Sequence, residues 1–454
     1  MTSHTSRSHT PRVVIAGGGP AAIEALIAIR ELLDGLVAVT LIAPRADFVY
    51  RPLLVAEPFG LGGRRSFDLA AIAADHSAEL VRGTLRSVDA QSATARLADG
   101  TEIGYDALLV AIGARPQEWL GGAIHFSSPA EVTRVRDVVS ELDQDRLRSI
   151  VFAGPPGATW TLPLYELALL TAAHIGESGT PGVELTIVTP EQEPLSAFGP
   201  AAAAHVRDLC GDRGIRLRTG ATATAFEHGR VELDSGESIE ADRVVALPWL
   251  MGEPLAGLPH DRDGFIPVDE HCAVKGLDGV YAAGDGIAHP VKQGGLGTQQ
   301  ADAAARAIAA RLGAAVEPAP FEPELRGLLL TGLGPSYLHA TPGQTGENGS
   351  VVALNPLWWP PSKIAGRHLA PYLANLPHVP DTEQLLEDRP PSATNEEEHE
   401  AVRQLALIFA DQDARHGDHR SALAWLDTIE QIDGVLSPEL ESRRVAWRAA
   451  LAAR

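Results

Sequence analysis

One short stretch near the amino terminus restricts the fold more than any other. "RVVIA", from Arg12 to Ala16, is a β-branched run that reads as a strand, and it leads straight into "GGGPAA". Gly17, Gly19 and Ala22 give G-x-G-x-x-A, and "IEALIAIRELL" follows with apolar residues at helical spacing. "VAVTLIA" then reads as a second strand, completing a βαβ unit. Glycine at 17 permits the tight turn, glycine at 19 lets the backbone approach a pyrophosphate, and Ala22 permits close helix–strand packing. With Pro20 and Ala21 between them, the loop aims the first N–H groups of a helix at a phosphate. The chain therefore opens as a dinucleotide-binding α/β fold. The slot for a ribose-binding acid, at the end of the second strand, falls on Ala43 or Pro44, with Arg45 and Asp47 nearby but off register.

The pattern restarts near residue 149. "SIVFAG" reads as a strand, "VELTIVTP" as another, "AAAAHVRDLCGDRG" as a helix and "IRLRTG" as a further strand. Residues 78 to 104 alternate polar and apolar, like a small antiparallel excursion. "DRVVALP" and "GVYAAGDG" read as strands returning to the first unit, and "TQQADAAARAIAARL" as a helix. Residues 315 to 380 look less regular. An acidic linker, "EDRPPSATNEEEHE", precedes three expected helices. The expected fold is α/β: two Rossmann-like, three-layer ββα dinucleotide-binding domains, a C-terminal covering region and a small α-helical appendage. The expected bounds are 10–120 with 240–313 for the first domain, 121–239 for the second, 314–390 for the cover and 396–454 for the appendage.

Three further motifs bear on the ligand. "AIGARP", with Ala111, Gly113 and Arg115, resembles the turn that closes the FAD domain of two-dinucleotide-domain flavoproteins. "GVYAAGD" resembles their second FAD motif, and that resemblance implies that Asp285, after Gly284, accepts hydrogen bonds from the ribityl chain. "KQGGLGT" leads into a helix expected to start near Thr298, after Gly297. In the family this helix points its positive end at the flavin pyrimidine edge. Lys292 either adds a full charge there or is a solvated loop lysine. Arg45 and Arg51 complete the expected cofactor shell. FAD is the expected cofactor.

The stretch "FAGPPGATWTLPLYELALL" occupies the place of a second phosphate loop. Its second and third glycine slots hold Pro156 and Thr159. Proline removes an N–H and fills the space a pyrophosphate would enter, so NAD(P)H is possible here but disfavoured. The stretch instead resembles the P-x-G-A-T-C-x-x-P-x-Y-E segment of sulfide:quinone oxidoreductases and flavocytochrome c sulfide dehydrogenases, in register through Pro163, Tyr165 and Glu166. "VYRPLLVAEPFG" and Lys-x-Gly at 292–294 resemble the same branch. The family's cysteine is Trp160 here, and an indole can neither attack sulfur nor carry it as a thiolate does. Trp160 either stacks near the flavin or a substrate, or fills the space the cysteine leaves. Glu166 in "YELA" resembles the glutamate of the "VELA" helix of type II NADH dehydrogenases, near nicotinamide and flavin; the other reading is a helix-surface acid. Thr298, Gln299 and Gln300 resemble the end of that family's quinone motif, whose leading Ala and Gln slots hold Gly294 and Gly295. The resemblance implies an FAD-dependent, sulfide:quinone oxidoreductase-like enzyme with Lys292, Glu166 and Trp160 at its centre and a small-molecule donor and acceptor, quinone among them. The alternatives are a type II NAD(P)H dehydrogenase-like enzyme, or a flavin-bearing redox sensor without turnover.

The formal net charge of −22 argues against nucleic acid and anionic lipid as partners. Cys210 and Cys272 are the two cysteines, too few and too far apart for a disulfide framework or a thiolate metal cluster, and no metal is expected. No apolar run reaches the roughly 18 residues of a membrane span, and a polar amino terminus without a cleavage site makes cytoplasmic the expected location. Trp358 and Trp359 are either an interfacial anchor or part of a lid. Residues 416–434, with Leu423, Trp425, Leu426, Ile429 and Ile432 as an apolar stripe, resemble one tetratricopeptide-type pair, which must dock on the body, a second copy or a partner. His416 and His419 flank its turn and read as solvated.

Overall fold

The computed structural model describes residues 10–62, 65–180, 182–341, 349–376 and 435–452, and scattered helical positions between 403 and 430. The acidic linker, His416 and Ile432 lie outside the described residues.

A five-stranded parallel sheet carries Val280–Ala282, Ala107–Val110, Arg12–Ala16, Ala38–Ala43 and Glu79–Arg82 in that spatial order. Alternation along the strands divides the core. Val13 and Ile15 face the helices, whereas Val14 and Ala16 face a small antiparallel sheet of Leu85–Asp89, Thr94–Leu97 and Glu102–Gly104. Successive side chains of a strand point to opposite faces, so an unbroken apolar run is what a sheet covered on both sides requires. On the helical side, α1 (Pro20–Leu33) lies against α6 (Gly294–Arg311), and α2 (Leu69–Asp75) packs beside Glu79–Arg82. Buried alanines at 21, 22, 25 and 28 on α1 and at 301, 304, 305 and 308's neighbours 307 and 309 on α6 keep that contact small-sided.

A second parallel sheet repeats the plan with Ile124–His125, Arg243–Ala246, Ser149–Ala153, Glu184–Val188 and Ile215–Arg218. Helices α3 (Pro129–Asp143), α4 (Leu162–Ser178) and α5 (Pro200–Asp212) accompany it. The antiparallel strands Ala223–Glu227, Arg230–Leu233 and Ser238–Glu240 cover its other face. Arg243–Ala246, expected to return to the first unit, instead sits inside this second sheet, paired with Ser149–Ala153. The return to the first unit is made by the pair Arg115–Gln117 and Trp249–Met251. Glu79–Arg82 also departs from expectation: it joins the parallel sheet, and only the strands after it form the antiparallel excursion.

Residues 315–380 are more regular than their composition suggests. Leu325–Leu330, Pro335–Ala340 and Ser350–Ala353 form an antiparallel sheet, with Gly327 pressed onto Phe198 of the second unit. From there the chain runs as a strap, residues 357–369, back across the first unit into α7 (Leu369–Ala374). Its anchor is Glu24 of α1, fully buried, which accepts the N–H groups of His368 at 2.8 Å and Leu369 at 2.7 Å. Gly366 fits there because a Cβ would lie 2.5 Å from Glu24 Oε2. Burial pushes the Glu24 carboxyl up to about 7, and Asp302 adds to the rise. His368 bridges Glu31 at 3.1 Å and Asp302 at 3.4 Å, and these acids hold its imidazolium up to about 10 against the effect of burial. Beyond residue 400, Trp425, Leu426 and Ile429 are buried, and their apolar surface is continuous with the main core.

Candidate functional site

The carboxyl ends of the first sheet open into a cleft of about 1160 Å³ that extends to the second unit. Its floor is the turn after Arg12–Ala16. Gly17 has φ +146° and its N–H donates to Ile42 O at 2.8 Å. A Cβ there would lie 2.1 Å from the Ala111 carbonyl oxygen, so only glycine lets the two turns meet. Gly19 is the extended N-cap of α1 and faces open space. The opposite wall is the turn at Gly284, φ +83°, whose N–H is accepted by Gln300 Oε1 at 2.8 Å. Gly297 packs onto it, 3.1 Å from a would-be Cβ to Gly284 Cα. These glycines leave a backbone-lined slot beside a helix N-terminus, the shape and polarity a dinucleotide pyrophosphate requires. The residues present therefore fit FAD.

Gly17, Gly19, Pro20, Ala21, Arg45, Arg51, Ala111, Gly113, Arg115, Gly284, Asp285 and Gly297 all line this cleft, as do Lys292, Trp160 and Glu166. Two expected residues do not. Ala22 is fully buried in the helix–sheet contact beneath the loop. Thr298 is also buried, its hydroxyl donating to Gly295 O at 2.7 Å. Helix α6 starts at Gly294, four residues before the expected position at Thr298, because Gln293 caps it by accepting from Leu296 N at 2.6 Å. Lys292 thus directly precedes the helix start. Burial raises the Asp285 carboxyl, opposed by Lys292 and Arg51.

Lys292 is no solvated loop lysine. It is half-buried, its Nζ donates to Ile287 O at 2.5 Å, and burial pushes the ammonium down to about 8, against Asp285 and Asp261. Glu166 is no surface acid either. Its carboxylate is fully buried, accepts from Leu330 N at 2.8 Å and grips Lys363 Nζ at 2.5 and 2.6 Å. Burial raises the acid and lowers the ammonium, while each holds the other charged. Sequence reasoning missed Lys363. It stands in "WWPPSKIAG" without a motif of its own, and only the strap's path brings it to α4. Tyr50 fixes that path by accepting from Ile364 N at 2.9 Å.

Trp160 packs its ring on Phe198, centroids 5.5 Å apart, and Thr159 Oγ1 donates across the cleft to Pro290 O at 2.5 Å. The indole both fills space against Phe198 and faces the cleft. Neither thiol lines the cleft: Cys210 and Cys272 are buried, and burial pushes both up to about 12. Glu191 lies three residues past the second unit's Glu184–Val188 strand, off the register of a ribose-binding acid. It is spent internally. Its Oε2 accepts from Thr161 at 2.8 Å, Tyr165 at 2.9 Å and Thr189 at 3.0 Å. Pro190 closes over Gly154, 3.3 Å from a would-be Cβ. Gln299 is likewise engaged, exchanging two 2.9 Å bonds with the Glu324 backbone. Among the described residues, no helix is long and apolar enough to cross a membrane.

Residues 11–307 match the pyridine nucleotide-disulphide oxidoreductase family. The chain belongs to that family. It has the two-Rossmann architecture, and the residues of its first cleft fit FAD. It is similar to the type II NADH:quinone oxidoreductase NdhA of Mycobacterium tuberculosis, 26% identical over 60% of this chain and 66% of that protein. It is also similar to the sulfide-quinone reductase of Aquifex aeolicus, 27% identical over 62% of this chain and 63% of the relative. The matches thus span less than two thirds of these relatives' own length. Among solved structures, the sulfide:quinone oxidoreductase of Aquifex aeolicus shares the fold with a TM-score of 0.70 at 19% identity, covering 76% of this chain and 87% of that one. A ferredoxin reductase from Rhodopseudomonas palustris gives 0.58 at 21% identity, covering 74% and 84%.

Proposed function

We propose that this chain is a flavin oxidoreductase of the sulfide:quinone oxidoreductase-like branch that takes electrons from a small donor without forming a persulfide, and passes them to a quinone-class acceptor. The observation that carries this reading is Trp160. It occupies the register of the family's cysteine, packs on Phe198 and faces the same cleft as Lys292 and Glu166. With no thiol lining that cleft, covalent sulfur chemistry has no nucleophile there. The quinone class comes from relatives named as quinone reductases.

FAD, when bound, supplies the chemistry: it takes up two electrons and hands them on singly or together. The residues of the chain hold and tune it. The Gly17 turn and the α1 N-terminus would hold the pyrophosphate, and Asp285 the ribityl hydroxyls. Lys292, ahead of α6, sets positive charge at the cleft wall and would stabilise the negative charge a bound flavin gains on reduction. The Glu166–Lys363 pair exchanges a proton with the donor: Glu166 accepts while Lys363 keeps the pair from carrying net negative charge in a dry site. Pro156 argues against a nicotinamide donor, since it removes an N–H from the second unit's phosphate loop and fills the space a pyrophosphate would enter.

The test is anaerobic. Holoprotein reduced by light should recover its oxidised absorbance when mixed with a short-chain quinone, and excess sulfide should leave the oxidised protein unreduced. Rapid reduction by sulfide would overturn the proposal.

A further inference from the structure

We propose that Phe265 is the positioning residue that keeps the Lys292 ammonium charged at the wall of the FAD cleft. This rests on the reading of Lys292 as the cation that faces the flavin. The ring centroid of Phe265 lies 3.5 Å from Lys292 Nζ, and both residues line the cleft. An ammonium carries three donors. Here one goes to Ile287 O, and the aromatic face receives the charge directly.

The ring is held in that place by its backbone. Asp261 Oδ1 accepts from both Asp263 N and Phe265 N at 2.9 Å, and Asp261 N donates to Phe265 O at 2.8 Å. The next residue is paired with the turn that carries Asp285: Ile266 N donates to Gly286 O at 2.9 Å, and Ala288 N to Ile266 O at 2.8 Å. Gly264, φ +85°, is pressed against Gly252, where a Cβ would lie 2.1 Å from its carbonyl. The Phe265 backbone therefore cannot withdraw from Lys292 without breaking the turn or the pairing, and its ring sits buried in the cleft wall.

The charged and titratable groups around Lys292 are Asp285 and Asp261, which favour the ammonium, Arg51 beyond Asp285, and His289, itself held below its ordinary value by burial. Burial is the largest influence on Lys292 and works against its charge. A cation–π contact is of the right size to shift such a group by on the order of one pH unit. Leucine at 265 keeps the site dry and removes the aromatic face, so it should discharge Lys292 at lower pH.

The experiment is the midpoint potential of the bound FAD, measured by dye equilibration as a function of pH on the holoproteins. Wild type should show a break near the Lys292 titration at about 8. Phe265→Leu should move the break down by about one unit, Phe265→Trp should hold it or move it up, and Lys292→Met should remove it. In the Lys292→Met background, Phe265→Leu should change nothing further. If Lys292→Met leaves the curve unchanged, the reading of Lys292 fails. If Lys292→Met removes the break but Phe265→Leu does not move it, or moves the potential equally without Lys292, the ring is packing alone and this inference is wrong. Should Phe265→Leu fail to retain FAD, the tryptophan variant decides: a downward shift there overturns the inference.

Discussion

Lys363→Met is expected to destabilise the folded protein by about 3–5 kcal/mol, because it strips a fully buried carboxylate of its counter-charge. Glu166 and Lys363 are 0% and 5% exposed at their side chains, and the contact is 2.5 Å. One N–H, from Leu330, would remain to the acid. The orphaned Glu166 should escape by holding a proton. Its carboxyl is already raised by burial, so loss of Lys363 raises it further. A carboxyl raised in the folded state holds a proton that the unfolded chain releases, so its stabilising effect is complete below the unfolded value and is lost as pH rises through the folded one. The defect of Lys363→Met should therefore be small in acid and grow toward alkaline pH. Urea unfolding at acidic and at alkaline pH measures it. The double variant Glu166→Gln/Lys363→Met should recover most of the loss, since no bare charge remains. A single variant as stable as wild type at every pH would mean the pair is not buried as described.

Gly17→Ala is expected to yield a folded protein with little flavin. The added methyl would lie 2.1 Å from Ala111 O, at a φ of +146° that side chains rarely adopt. The turn at 17 and the turn at 111 must then separate, and the slot beside the α1 N-terminus opens. FAD affinity should fall at least about tenfold, equivalent to 1.4 kcal/mol. The flavin-to-protein absorbance ratio after gel filtration reads this directly. A variant that keeps its full colour would show that the loop does not press on Ala111.

Much of this was legible in the sequence, for physical reasons. The glycines at 17 and 284 announce themselves because their positive φ suits no other residue, and strand and helix periods frame them. Sequence alone assigns Arg243–Ala246 to the first unit because any buried parallel strand reads as the same apolar run; its sheet is fixed by pairing with Ser149–Ala153, which local sequence does not encode. Sequence places the start of α6 four residues late because Gln293, an uncommon cap, ends the loop. Trp160 was found through a register, and its contact with Phe198 was not. Lys363, Phe265 and Glu191 escaped altogether. Each gains its role from a partner far along the chain: Lys363 from Glu166, Phe265 from Lys292, Glu191 from Thr161 and Tyr165.

The central proposal is that the first cleft holds FAD while the second unit admits no nicotinamide. An anaerobic titration of the yellow holoprotein with NADH and with NADPH, followed at the flavin's visible band, tests it most directly. The account predicts that neither bleaches the flavin on the timescale of turnover. Rapid bleaching by either would mean that the loop at Pro156 still admits a nicotinamide, and that the chain works as a type II NAD(P)H dehydrogenase does.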